Sequence, residues 1–271
     1  MAWTPTTVDD IGWGPVPEPG GAPAAVTVGS ILRVHHDFTT LGSADWQAAG
    51  DVAQSLTPDD GTVTSAIDWT VANSASMTAG DGPDGSTGIT ILPTAGNWYT
   101  QALPTAPYFW ASVNDAIGST PDDETDIWVV AEFEFNPSVQ HSQIGIGIAD
   151  ANKMVAATRY YTASANKYRG QSGSSYVNSN TSDTAFWLAL RIKGDSVESR
   201  FGLTGTDDLP TTFKDSGTIL SRGVSSGTTY PSTTGPTLDL NAGKIVLWCG
   251  PDGAGTATGT FKSIRVYEVV P

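Results

Sequence analysis

The sequence predicts an all-β fold, one large β-sandwich, on three observations. The chain of 271 residues contains 30 Gly and 17 Pro, and short alternating apolar and polar runs recur between clusters of Gly, Pro, Asp and Ser, as in all-β proteins. No window of ten or more residues has helical periodicity. The length suits one large sandwich, and the sequence contains no internal repeat.

Residues 1–29 are predicted to be an extended N-terminal arm, followed by the sandwich at residues 30–271. The stretch "GWGPVPEPGGAPAAVTVG" is rich in Pro and Gly and cannot build a core. A plain linker has no need of Trp3, Ile11 and Trp13, so we expect the arm to dock on another protein or subunit. The first residues lack the basic and apolar regions of a secretory signal, which favours synthesis in the cytosol.

The strands of the sandwich are predicted from alternation and from the turn residues that flank each run. They are 31–38, 62–71, 87–92, 126–135, 142–149, 153–161, 166–171, 185–193, 196–201, 244–249 and 259–269.

The stretch "DIWVVAEFEF" (126–135) alternates most regularly, with an apolar face that begins at Ile127 and an opposite face that carries Asp126, Trp128, Val130, Glu132 and Glu134. The second face is typical of a catalytic strand, a sugar-binding face or a solvated sheet surface. "FWLALRIKGDSVESRFG" is predicted to be a hairpin that turns at Gly194 and Asp195. In the last strand, alternation places Phe261, Ser263, Arg265 and Tyr267 on one face.

Net charge and composition exclude several function classes. A formal charge of −15 with a pI near 4.3 disfavours nucleic acids as partners, and no apolar run is long enough to span a membrane. Cys249, the only cysteine, is predicted to be a core residue. His35 and His36 are neighbours in a strand and therefore point to opposite faces, so they cannot bind one metal together.

The order of these elements resembles the concanavalin A-like lectin/glucanase superfamily, including laminin G-like modules. "DFTTLGSADWQAAGD" resembles its first strand and Trp-bearing turn, and "DIWVVAEFEF" followed by "SQIGIGIADANKMVAATRYY" resembles its central strand, glycine-rich strand and ligand-facing strand. "GKIVLWCG" and "GTFKSIRVYEV" resemble its last two strands. The resemblance covers residues 31–271 and implies a jelly roll of two curved antiparallel sheets.

Retaining glucanases of this superfamily carry Glu-x-Asp-x-x-Glu on one strand. If Glu132 is aligned with the first acid, Pro137 occupies the acid/base position, and if Glu124 is aligned there, Val129 does. Because both alignments lack the third carboxylate, we expect no catalytic residues and no enzyme.

Several turns concentrate carboxylates with glycine, including "GDGPDGSTG" (80–88) and "TPDDETD" (120–126). No cofactor is required, but Ca²⁺ is a candidate ligand with Asp81 and Asp84, or Asp122 and Asp123, because Ca²⁺ prefers carboxylate and carbonyl oxygens. Asp and Gly are also the ordinary residues of tight turns.

Aromatic and polar residues suggest a sugar site, because sugars stack on ring faces and hydrogen-bond to polar side chains. The predicted contacts are Trp128, Arg159, Tyr161, Tyr168 and Tyr176. We therefore expect a structural virion protein of a phage, a minor tail or decoration protein whose lectin-like sandwich binds host-surface glycans. A free carbohydrate-binding module and, less favoured, a glycoside hydrolase are the alternatives, and homo-oligomerisation stays open.

Overall fold

The computed structural model describes residues 30–42, 46–49, 53–72, 76–81, 87–91, 108–122, 124–137, 142–151, 154–161, 166–172, 175–181, 185–193, 196–203, 214–221, 238–250 and 257–270. The predicted arm at 1–29 lies outside this range. The described strands are β1 (Ser30–Asp37), β2 (Gln47–Ala49), β3 (Ala53–Leu56), β4 (Ile67–Ala72), β5 (Ser76–Asp81), β6 (Thr87–Ile91), β7 (Tyr108–Ser112), β8 (Asp126–Pro137), β9 (Gln143–Ala149), β10 (Met154–Tyr161), β11 (Asn166–Ser172), β12 (Ser175–Thr181), β13 (Ala185–Lys193), β14 (Ser196–Leu203), β15 (Lys214–Ser221), β16 (Lys244–Gly250) and β17 (Ala257–Val269).

These strands form two antiparallel sheets, which confirms the predicted β-sandwich. The first sheet has the order β15-β14-β13-β8-β17-β6-β5-β2, with β1 beside β17. The second sheet has the order β12-β11-β10-β9-β16-β7-β4-β3. One shared core fills the space between the sheets and receives apolar side chains from both.

The predicted alternation of β8 and β13 and the predicted pairing of β13 with β14 are confirmed. Ile127, Val129 and Phe133 of β8 are fully buried in the shared core, and so are Phe186 and Leu190 of β13. Strands β13 and β14 pair from Phe186↔Leu203 to Lys193↔Ser196. Gly194 and Asp195, the predicted turn residues, lie outside the described part of the chain.

The predicted strand at 62–71 begins only at Ile67, because the residues before it pair with a different sheet. The amide of His35 donates to the Asp60 carbonyl at 2.9 Å, and the amide of Val63 donates to the Arg33 carbonyl at 2.9 Å. Gly61 makes this contact possible: its φ is +119°, and a Cβ there would stand 2.3 Å from the Arg33 oxygen. The segment thus hydrogen-bonds to the β1 edge that β17 leaves open.

A β-bulge corrects the predicted faces of the last strand. The pairing of β17 with β8 shifts between Phe261 and Ser263, so Phe261 joins the shared core together with Ile264 and Val266. Ser263 and the alternate residues after it point away from that core. An inserted residue resets the alternation of a strand, and local sequence does not reveal it.

Two short elements complete the description of the fold. A 3-10 turn at Phe38–Thr40 follows β1. Helix α1 (Val113–Ile117) begins after the capping residue Ser112 and ends at Gly118, which has a left-handed φ of 70°. Within the described part of the chain, no helix has the length and the apolar composition that a membrane crossing requires.

Candidate functional site

The structure separates the residues that the sequence predicted as one sugar site. Trp128 lies on the side of the first sheet that faces away from the core, and only 3% of its surface is exposed. The Arg191 guanidinium carbon lies 5.2 Å from its ring centroid. This corrects the expected surface position of Trp128, because a covered ring offers no free face for a sugar to stack on.

Arg159 and Tyr161 point toward the interior of the sandwich. They lie on the same side of β10 as the core residues Val155 and Ala157. Arg159 is 1% exposed, and Tyr161 is half-buried against the core. The guanidinium carbon of Arg159 lies 4.8 Å from the centroid of the Phe186 ring. The expectation that this side of β10 faces a ligand is therefore corrected.

The remaining predicted sugar contacts are known only from their backbone pairing. Tyr168 of β11 pairs with Arg159, and Tyr176 of β12 pairs with Gln171. Their side chains lie outside the described part of the structure, so a role in sugar contact stays a prediction.

The predicted cation sites are described only in part. The Asp122 carboxylate accepts hydrogen bonds from the Thr125 hydroxyl at 2.9 Å and from the Glu124 amide at 3.0 Å, and the first of these is the main cause that lowers its pKa. These bonds are those of an ordinary capped turn. Asp84, Asp123 and the side chain of Asp81 lie outside the described residues. The described residues contain no cluster of three metal-ligating side chains, and the Ca²⁺ sites stay predictions.

A different aromatic surface lies on the second sheet, on the side that faces away from the shared core. Its centre is β9, where Gly145 and Gly147 alternate with the core residues Ile144, Ile146 and Ile148. We call this surface the Gly145 face. It carries Tyr108, Trp110, Gln143, Ala156, Thr158, Tyr160, Val246 and Trp248 around the two glycines.

The strand pairing sets these side chains in rows across the sheet. One row runs from Tyr108 through Trp248 and Gly145 to Thr158. The next row contains Trp110, which is the partly exposed aromatic residue of the face. The Lys244 ammonium lies 3.9 Å from the centroid of the Trp110 ring, which holds a cation against the ring face.

Glycine is required at position 145 because the Trp248 ring crosses it. A Cβ on Gly145 would stand 2.9 Å from the ring atom Cη2 of Trp248, 2.9 Å from Thr158 Cγ2 and 2.7 Å from the Ala157 carbonyl oxygen. The missing side chain leaves room for the Trp248 ring to reach over β9 from β16. The centre of the Gly145 face therefore consists of the β9 backbone and the Trp248 ring.

The Gly145 face also contains buried polar atoms that have no hydrogen-bond partner among the described residues. Gln143 and Thr158 are both 0% exposed. Neither amide atom of Gln143, nor the Thr158 hydroxyl, nor Nε1 of Trp248 has a hydrogen-bond partner in the structure of the described residues. An unsatisfied buried polar group costs about 1–3 kcal/mol, so this arrangement is typical of a surface that hydrogen-bonds to a ligand.

The sequence-based search missed this face because its members come from four strands. The signal that was available is Gly145 and Gly147 at alternate positions of a strand otherwise made of isoleucine. Glycines at alternate positions of a strand indicate close approach by a side chain or a ligand on that side.

The fold and the Gly145 face together define the molecule as a two-sheet β-sandwich with an aromatic sheet surface that carries buried polar atoms. A scan of protein-family models finds no match for the chain, and neither does a search of curated proteins.

Solved structures of similar shape are known. The CBM2 module of the Lactobacillus casei BL23 phage J-1 evolved Dit is 12% identical, with coverage of 90% of this chain and 97% of the other and a TM-score of 0.43. An engineered GH43 glycoside hydrolase is 8% identical, with coverage of 74% and 38% and a TM-score of 0.49. A GH54 α-L-arabinofuranosidase mutant is 11% identical, with coverage of 90% and 59% and a TM-score of 0.40. The chain thus spans less than two thirds of each of these two hydrolase chains, and likenesses of this size assign neither a family nor a function.

Proposed function

We propose that this protein binds carbohydrate through the Gly145 face. The observation that carries the proposal is the fully buried Gln143 amide, which has no hydrogen-bond partner among the described residues at either polar atom. Sugar hydroxyls both donate and accept, so a glycan can satisfy the two donors and the acceptor of this amide together with the Thr158 hydroxyl. The partly exposed ring of Trp110 supplies the apolar surface on which a sugar stacks.

The affinity of one site is expected to be low. Gln143 and Thr158 are buried in the free protein, so part of the binding free energy is used to open the face, which reduces the apparent affinity. Single sites with dissociation constants near the millimolar range would act usefully only when many copies are displayed together.

The setting that we propose is a phage particle, in which the protein is a minor tail or decoration protein with a concanavalin A-like sandwich. The support is the residue pattern of the arm at 1–29, which combines a Pro/Gly-rich chain with Trp3, Ile11 and Trp13. Many copies on one particle would provide the avidity that a weak site needs.

Binding without hydrolysis is part of the proposal. Glu132 is 2% exposed, and its carboxylate lies 3.9 Å from the Lys262 ammonium. Pro137 stands where the glucanase pattern requires its second carboxylate. A reducing-sugar assay on any bound polysaccharide tests this part.

The Gly145 face is tested by the double variant Gln143→Met/Thr158→Val. We expect it to lose binding to the oligosaccharides that the unmodified protein recognises on a glycan array. Its free energy of unfolding should stay unchanged or rise by about 1 kcal/mol, because the removed polar groups have no hydrogen-bond partner among the described residues. Titration calorimetry and urea denaturation measure the two effects.

Thr90→Val is the matched control on the first sheet. The Thr90 hydroxyl lies 3.3 Å from that of Thr260, and both residues are buried. Its removal should lower the free energy of unfolding by about 1 kcal/mol and leave glycan binding intact. The proposal fails if the double variant still binds like the unmodified protein, or if no glycan binds at all.

Deletion of residues 1–29 tests the proposed setting. We expect the shortened chain to be absent from purified phage particles, as measured by immunoblotting. Residues 30–271 should keep their melting temperature within a few degrees, because the arm composition cannot build a core. A shortened chain that enters particles at the normal level would contradict the docking role.

A further inference from the structure

A second arrangement of unsatisfied polar groups lies on the first sheet, on the side that faces away from the shared core. Its central residue is Arg265 of β17, which is 4% exposed. The structure contains no ion pair of the Arg265 guanidinium among the residues it describes, and Nη1 has no hydrogen-bond partner there. A buried charge without a partner is strongly unfavourable, so most buried arginines are paired.

Two carboxylates of this surface lie beside other cations. Asp126 accepts two hydrogen bonds from Arg191, both at 2.7 Å. Glu132 lies 3.9 Å from the Lys262 ammonium. Among the described residues, the guanidinium carbon of Arg265 lies 5.4 Å from the centroid of the Trp187 ring, and the guanidinium also interacts with the Tyr267 phenol. Neither group supplies the negative charge of an ion pair.

The neighbours of Arg265 present further donors on the same side of the sheet. Nε1 of Trp187, which is 0% exposed, and the hydroxyl of Ser263, which is 5% exposed, have no hydrogen-bond partners within the described part of the chain. Ser263 stands two residues from Arg265 on one strand and pairs with Glu132, which in turn pairs with Trp187. Between Arg265 and β13 lie the small side chains of Val130 and Ala189.

We propose that this surface, the Arg265 face, is a second ligand site that binds an oxyanion. An arginine fork with adjacent N–H and O–H donors matches the oxygens of a carboxylate or a phosphate. The oxyanion is either the carboxylate of an acidic sugar or a phosphate of a phosphate-bearing polymer. Both groups present negatively charged oxygens to the arginine. The site lies on the opposite sheet from the Gly145 face and does not depend on it.

The test titrates the full chain with sodium D-glucuronate, inorganic phosphate and D-glucose by calorimetry. We expect at least one of the anions to bind in the millimolar range and D-glucose not to compete with it. Binding of glucuronate alone would identify an acidic sugar as the source, and binding of phosphate alone would identify a phosphate-bearing polymer. The absence of binding by both anions would overturn the proposal.

Arg265→Met should weaken anion binding by about tenfold or more, because it removes the charge and the fork. Without ligand, its melting temperature should rise by about 2–4 °C, since a buried unpaired charge is removed. Ser263→Ala, a smaller change, should weaken binding by about threefold and provides the answer if Arg265→Met does not fold.

Lys193→Met is the matched control, since it removes a cation from the same side of the sheet with a side chain that is 65% exposed. It should leave anion binding unchanged. An equal loss in Lys193→Met and Arg265→Met would mean diffuse attraction and would reject the site. The Gln143→Met/Thr158→Val variant should retain anion binding, so that failure of the Gly145 face and failure of the Arg265 face are distinguishable.

Discussion

Phe109→Ala should lower the free energy of unfolding by about 3–5 kcal/mol, the usual cost of a phenylalanine-sized cavity in a core. Phe109 is fully buried at the centre of the aromatic packing between the sheets. Its ring centroid lies 5.1 Å from those of Trp69 and Phe261, 5.9 Å from Trp46 and 6.0 Å from Phe38. The ring thus joins β7 and β4 of the second sheet to β17 of the first. Urea denaturation at constant temperature measures the loss.

Trp110→Ala is the matched control, because Trp110 is the next residue on β7 and points to the other side of the sheet. It is partly exposed, so its removal should cost less than half as much stability as Phe109→Ala. Trp110→Ala should instead weaken glycan binding, because the ring forms the accessible part of the Gly145 face. Equal losses of stability in the two variants would contradict the packing described here.

Acid should destabilise the protein by about 3 kcal/mol through His36 alone, between pH 6.5 and pH 4. Burial, and to a smaller extent the neighbouring His35, lowers the pKa of His36 from 6.5 to about 4. In this interval the unfolded chain binds a proton at His36 and the folded protein does not, so stability falls as the pH falls. Melting temperatures across this range should drop by roughly 6–12 °C from this group.

His36→Phe isolates this contribution. The His36 ring stacks on Phe38 at 5.9 Å and meets the edge of Trp69 at 6.0 Å, and its Nε2 has no hydrogen-bond partner among the described residues. A phenyl ring can make these contacts without a proton to bind. The variant should match or exceed the stability of the unmodified protein at pH 7 and lose much of the decline toward pH 4. A residual decline is expected from His35, whose pKa burial and Arg265 also lower. An unchanged pH profile in His36→Phe would refute the assignment.

The predictions for Phe109 and His36 also distinguish residues that stabilise the sandwich from residues that bind ligands. Phe109 and His36 belong to the shared core, while Thr158 and Arg265 lie on opposite outer sides of the two sheets. Core variants should change stability and leave ligand recognition intact at temperatures where the protein is folded. Variants of the outer sides should change recognition and leave stability unchanged or improved.

Local alternation determined much of the fold from the sequence. The core-facing sides of β8 and β13 follow from period-2 patterns in which every second residue is apolar. The placement of His35 and His36 on opposite faces and the burial of Cys249 follow from the same rule, and both are confirmed. These features need no knowledge of which strands are neighbours.

Other features depended on tertiary packing because the local pattern is ambiguous or interrupted. In "MVAATRYY" both sides of β10 are mainly apolar, with one polar residue each, so alternation does not reveal that Arg159 faces the core and Thr158 faces away. The bulge in β17 transfers Phe261 to the core side by one added residue. The Gly145 face joins Tyr108, Gln143, Thr158 and Trp248, and the Arg265 face joins β8, β13 and β17. Only strand order and register bring such distant residues together, because a pleated strand specifies its own two sides and not its neighbours.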